Sequence, residues 1–227
     1  SVIMIAIGSV MTFLMNKILI TYHAAHETAA TAFGAYFKLN SFIFMPVFGM
    51  NNGVVPIVAY NYGAQNRLRM VETIKRSTIY ASCIMVLGVI IFWAIPGSLL
   101  KIFDATDTML QVGVPALRII SLSFCMAGAC IALGSSFQAL GKAVYSMTTS
   151  IIRQLVFLVP IAYVLARYGH SIGNDDLVWW SYPLAEIASL LVTLVFFRRL
   201  YRTLIAPLPA NGGAPVHDDS GDDPIGE

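Results

Sequence analysis

Between Phe44 and Arg69 the chain reads FMPVFGMNNGVVPIVAYNYGAQNRLR. The stretch is apolar, carries Pro46, Gly49, Gly53 and Pro56, and ends in a basic loop. It is too long for a core strand of a soluble protein and too irregular for a plain membrane anchor. Irregular backbone at membrane depth persists only where it faces protein or water. The sequence therefore predicts a broken span that lines a path through a bilayer, with Pro46, Gly49, Gly53 and Pro56 as its hinge.

The rest of the chain agrees. Of 227 residues, 57% are hydrophobic and only 11% are charged, with a mean hydropathy of +0.73. Soluble domains carry about 25% charged residues. Apolar segments can be drawn over residues 2–22, 31–60, 77–95, 114–140, 144–165 and 177–197. Each is long enough to cross a hydrocarbon core, which takes about 20 helical residues. The expected fold is all-α: a polytopic bundle of six membrane helices over residues 1–205. Residues 206–227 are rich in Pro, Gly and Asp and predict a disordered acidic tail. The chain opens at Ser1 directly into an apolar run with no charged leader, and is read as a cut from a larger protein.

Charge sets the orientation. Nine of the fourteen Lys and Arg follow the second, fourth and sixth segments: Arg67, Arg69, Lys75, Arg76, Lys142, Arg153, Arg198, Arg199 and Arg202. The opposite loops hold Glu27, Asp104, Asp107, Asp175 and Asp176 against Lys101 and Arg167. Basic short loops stay cytoplasmic, so the C-terminus is expected in the cytoplasm and the first segment leaves it. Trp179, Trp180 and Tyr182 are expected to anchor the sixth span at the outer interface. The modest net charge of +2 gives no reason to expect nucleic acid as a partner.

Polar groups inside a span are costly unless they pair or face a cavity. The candidates for a substrate or ion pathway are Asn16, Lys38, Asn40, Asn51, Gln138 and Glu186. Glu186 is the only acid well inside a span. It could hold a cation or a proton, or form an ion pair with Lys17, Lys38 or Arg118 that only pins helices. Arg118 and Arg153 lie near span ends and are expected to snorkel to the surface. Asn52 is read as helix–helix glue. His23, His26 and Glu27 have the wrong order for a zincin helix and no further ligand nearby, so no metal site and no resident cofactor is expected. Cys83, Cys125 and Cys130 all fall in apolar runs and are read as buried structural thiols. No phosphate-binding loop or nucleophile elbow is present, so no enzyme is expected.

The stretch FMPVFGMNNGVVPIVAYNYGAQNRLRM resembles the second span of a half-transporter in the multidrug and toxic compound extrusion (MATE) family. Gly63, Ala64, Asn66 and Arg69 match its cytoplasmic turn, and Pro46, Gly49, Gly53 and Pro56 match the helix before it. GSVMTFLMNKIL, with Asn16, looks like the first helix of the same half, and ALRIISLSFCMAGACIALGSSFQALGK, with Gly134, Gln138 and Gly141, looks like the fourth. The resemblance implies one six-helix lobe, by its order the C-terminal one, of a twelve-helix exporter in a bacterial inner membrane. It implies a missing N-terminal lobe as partner, cationic or amphipathic small molecules as substrates, and Na+ or H+ as the coupling cation. Some members carry coupling carboxylates on the first and fourth helices of this lobe. Here those helices hold no Asp or Glu, which leaves Glu186 or the other lobe for that task. A lipid-linked oligosaccharide flippase of the same superfamily is the alternative, with Lys17, Lys38 and Arg118 as the cations that would suit it; a non-transporting membrane scaffold is a further one.

Overall fold

A computed structural model describes residues 2–210, with side chains from residue 6 onward. Among the described residues the secondary structure is entirely helical. The elements are α1 (Val2–Tyr22), α2 (His26–Gly63), α3 (Arg67–Ala94), α4 (Pro96–Lys101), α5 (Asp107–Ser121), α6 (Phe124–Ala139), α7 (Ala143–Ile151), α8 (Val159–Ile172) and α9 (Ser181–Leu200). A π-helical turn, Ile152–Leu158, joins α7 to α8; a 3-10 turn, Asp175–Trp180, leads into α9; and a second π turn, Tyr201–Ile205, ends it.

Four continuous helical stretches are long and apolar enough to cross a membrane: His26–Gly63, Arg67–Ala94, Ala143–Ile172 and Asp175–Ile205. The pair α5 and α6 makes a fifth, and α1 is the shorter apolar helix that precedes them. Each of the six expected segments is therefore helical.

Two of them differ in shape from expectation. The proline-bearing second segment is not broken: α2 runs without interruption for 38 residues, with Pro46 and Pro56 inside it. A proline removes one backbone bond to the residue four earlier. Its neighbours keep theirs, because lipid offers their N–H groups no other partner. The break lies in the fourth segment, expected as one span over 114–140, where α5 and α6 meet at 49°. There the Ser121 hydroxyl donates to the Arg118 carbonyl and the Ser123 hydroxyl to the Ile120 carbonyl, at 2.9 and 2.7 Å. The amides of Leu122 and Ser123 reach back only three residues, to Ile119 and Ile120. Serine hydroxyls that compete for helix carbonyls bend the ladder in this way.

The two ends of the bundle carry opposite charge, as the loop composition predicts. At the basic end Val58, Met70, Leu140, Leu200 and Ile205 form one apolar cluster, which draws the α2–α3 and α6–α7 turns to the end of α9. At the acidic end the Ala24 amide donates to the Asp175 carboxylate at 2.8 Å, and His23 packs against the Trp179 ring. Burial pushes the His23 imidazole below its ordinary value of 6.5, against the opposing pull of Asp175 and Asp176. Trp179 is fully buried and Tyr182 is buried, so only Trp180 stands where an interfacial anchor would. The cysteines also divide: Cys130 is buried, Cys125 is half-buried and Cys83 is exposed on α3.

The chain beyond α9 does not leave the bundle at once. The amides of Arg67 and Leu68 donate to the carbonyls of Pro209 and Ala210, both at 3.2 Å, and the Arg67 guanidinium holds the Ala206 carbonyl at 2.9 Å. Residues 206–210 thus satisfy amides that the first turn of α3 would leave without partners. Residues 211–227 of the expected tail lie outside the described residues.

Candidate functional site

Two cavities open side by side within the lobe. The first, of about 470 Å3, is polar and sits among α2, α6, α7 and α9, with Asn51, Gln138, Ser146 and Thr149 in its wall. The second, of about 340 Å3, lies toward the acidic end and is walled by aromatic and apolar side chains, among them Tyr36, Phe44 and Phe48, with Asn40 and Glu186. Phe48, Ile131, Arg153 and Gln154 line both and form the partition.

The partition holds an ion pair. The Arg153 guanidinium donates to Glu186 Oε1 at 3.2 Å, with the side chains 24% and 12% exposed. Glu186 Oε2 is buried and has no partner. Glu186 therefore pairs, but not with Lys17, Lys38 or Arg118. Those three are exposed and line neither cavity. The Lys38 ammonium lies 5.7 Å from the centre of the Phe103 ring instead. Arg153 was expected to snorkel to the basic end, and it does the opposite. The cause is local. Pro160 has no amide to offer the turn before it, and residues Ile152–Leu158 wind as a π turn. The wider turn re-aims Arg153 and Gln154 toward the lobe interior.

The other expected residues divide. Asn40, Asn51, Gln138 and Glu186 line the cavities, whereas Asn16 and Lys38 do not. Asn51 is only 6% exposed, and its Oδ1 has no partner. Asn52 lines the polar cavity rather than gluing helices. Gln138 Nε2 donates to Ser146 Oγ at 3.2 Å and so closes α6 onto α7. The hinge residues Pro46, Gly49, Gly53 and Pro56 lie exposed along α2, and no atom would meet a Cβ at Gly49 or Gly53 within 4 Å. Phe42, Met45 and Phe48 extend the same bare stripe.

The turn of Gly63, Ala64, Asn66 and Arg69 is built as its composition suggests. The Ala64 amide donates to the Tyr60 carbonyl at 2.9 Å, and Asn66 Oδ1 accepts from the Arg69 amide at 3.1 Å, starting α3. Gln65 takes the left-handed conformation between them, at φ 57°.

Sequence reasoning missed Arg153, Gln154, Tyr36 and Thr149 as cavity residues. The adjacent polar pair Arg153–Gln154, seven and six residues before a proline in an apolar span, was the available signal.

Comparison with known proteins places this arrangement. The MatE family profile matches residues 1–164. The multidrug export protein MepA of Staphylococcus haemolyticus is 25% identical over 184 residues, covering 81% of this chain and 39% of that protein. MepA of Staphylococcus aureus is 25% identical over 176 residues, covering 76% and 38%. The chain thus spans about two-fifths of the length of these curated relatives. Among solved structures, an inward-facing multidrug resistance MATE family transporter superposes with a TM-score of 0.82 at 18% identity, covering 89% of this chain and 46% of that one. An outward-facing one gives 0.79 at 19% identity, with 86% and 43% covered. A match over most of the described bundle, carried by the α2–α3 turn and the polar spans, means that the chain belongs to the MatE family.

Proposed function

We propose that this chain is the C-terminal lobe of a bacterial inner-membrane exporter, and that it binds cationic or amphipathic small molecules for exchange against Na+ or H+. The observation that carries the reading is Glu186. A buried carboxylate oxygen without a partner faces a cavity lined by Tyr36, Phe44 and Phe48. Aromatic faces and one carboxylate are the surroundings a lipophilic cation favours. Arg153 already holds the other oxygen, so a substrate cation, Na+ or a proton competes with it for the same carboxylate. Competition for one acid is the simplest basis for exchange.

The bare stripe of α2 supports a paired architecture. Met45, Phe48, Gly49, Asn52, Gly53 and Pro56 would face an N-terminal lobe across a shared cleft, with glycines where the helix must flex as access alternates. The basic end then faces the cytoplasm. The flippase alternative needs cations in the cavities, and Lys17, Lys38 and Arg118 line neither.

Ethidium binding to the 227-residue chain in lipid nanodiscs tests this reading. Fluorescence titration should give saturable binding that Glu186→Gln weakens about tenfold or more, the loss expected from one desolvated charge contact. Equal binding by wild type and variant overturns it.

A further inference from the structure

The polar cavity has a chemistry that a cation site does not explain. No carboxylate lines it, and its one charged group is the Arg153 guanidinium. A cation therefore finds nothing there to attract it. Arg153 in turn is already committed to Glu186 at 3.2 Å, so an anion finds its charge offset.

What remains is a wall of neutral oxygens. The hydroxyls of Ser135, Thr149 and Ser150 donate to the carbonyls of Ala132, Ser146 and Ser146, at 2.7, 2.9 and 3.0 Å. A hydroxyl that spends its proton on its own helix can only accept from the cavity. Asn51 Oδ1 and Gln154 Oε1 are buried acceptors with no partner. Asn51 is more than nine-tenths buried, and leaving such an amide unsatisfied costs about 1–3 kcal/mol. The lining thus asks for an uncharged donor. Because amide groups present donor and acceptor together, the group that matches them is one that does both, which is a hydroxyl. The volume of about 470 Å3 falls in the size range of small-molecule sites.

We propose that the polar cavity binds a neutral, hydroxyl-rich unit, a glycosyl or polyol group, with Asn51, Gln154 and Thr149 as its acceptors. The inference rests on the transport reading, and it gives the lobe a bipartite site. The flat or cationic part of a ligand occupies the aromatic cavity beside Glu186. The hydroxylated part reaches past Phe48 and Ile131 into the polar one. Selectivity then depends on which hydroxyls a molecule carries as well as on its charge.

Three probes separate the two claims, each measured by equilibrium dialysis against the chain in nanodiscs: ethidium, 4-methylumbelliferone and 4-methylumbelliferyl β-glucoside. The glucoside should bind about tenfold more tightly than its aglycone, the value of one or two net hydrogen bonds. Asn51→Leu and Thr149→Val should each erase most of that preference and leave ethidium affinity unchanged. Intact ethidium binding also certifies the fold of each variant. Equal binding of glucoside and aglycone by wild type would overturn the proposal and leave water as what the amides hold. A glucoside preference that survives both substitutions would overturn it as well. Loss of ethidium binding alone, with the preference intact, would overturn the cation reading and leave this one standing.

Discussion

Glu186→Leu should destabilise the lobe by about 3 kcal/mol, and adding Arg153→Met should restore most of the loss. The single change strands a guanidinium that is three-quarters withdrawn from solvent and cannot lose its proton. The reciprocal change, Arg153→Met, strands a carboxylate, which can take up a proton and become neutral. It should therefore cost less than Glu186→Leu. The double variant replaces both charges by apolar groups of similar size and leaves neither uncompensated. Denaturation of the purified chain in mixed micelles, followed by helix content, measures all three. A strictly additive double variant would show that the pair does not interact.

Gly128→Leu should be comparably damaging, for a steric reason. A Cβ at Gly128 would lie 2.8 Å from Met85 Cγ and 3.1 Å from the Ala81 backbone oxygen. The methionine can swing aside; the backbone cannot. On the other side of α3, a Cβ at Gly88 would lie 2.5 Å from Ile43 Cγ2. The helix is held closely by α6 and α2, through the small residues that let membrane helices approach. Separating α3 from α6 should cost about 3 kcal/mol, at the upper end of overpacking effects in cores. Gly49→Leu is the matched control, since its Cβ meets nothing. The same micelle denaturation should find the control close to wild type.

The sequence carried the framework because its signals act locally. Six apolar runs set six helical segments, and charge in the short loops set which turns share an end. Asn66 could be placed as the start of α3 because its side chain caps its own turn. The shapes within the spans were harder to read. Pro46 and Pro56 suggest a break, yet in α2 each costs only local bonds. The bend at Ser121–Ser123 comes from hydroxyl bonds to the backbone, which no hydropathy pattern contains.

The site was half legible for a similar reason. Asn40, Asn51, Gln138 and Glu186 were found because a polar group in an apolar run needs an explanation whichever way the helix turns. Arg153 was misread because its depth was taken from a regular helix, while the π turn before Pro160 rotates it inward. Trp179 and Tyr182 were assigned to the interface by type. The close approach of the α1–α2 turn, with His23, buries Trp179, and the rings of Phe33 and Tyr36 on α2 enclose Tyr182.

The central claim is that the helices enclose a wet crevice beside α2. Thiol labelling in nanodiscs tests it most directly, in a background with Cys83, Cys125 and Cys130 replaced. Only a hydrated thiol ionises and reacts with a membrane-impermeant methanethiosulfonate. Asn52→Cys, in the wall of the polar cavity, should be modified within minutes, while Leu191→Cys, on the exposed apolar face of α9, should stay unmodified. Protection of both positions would contradict the account.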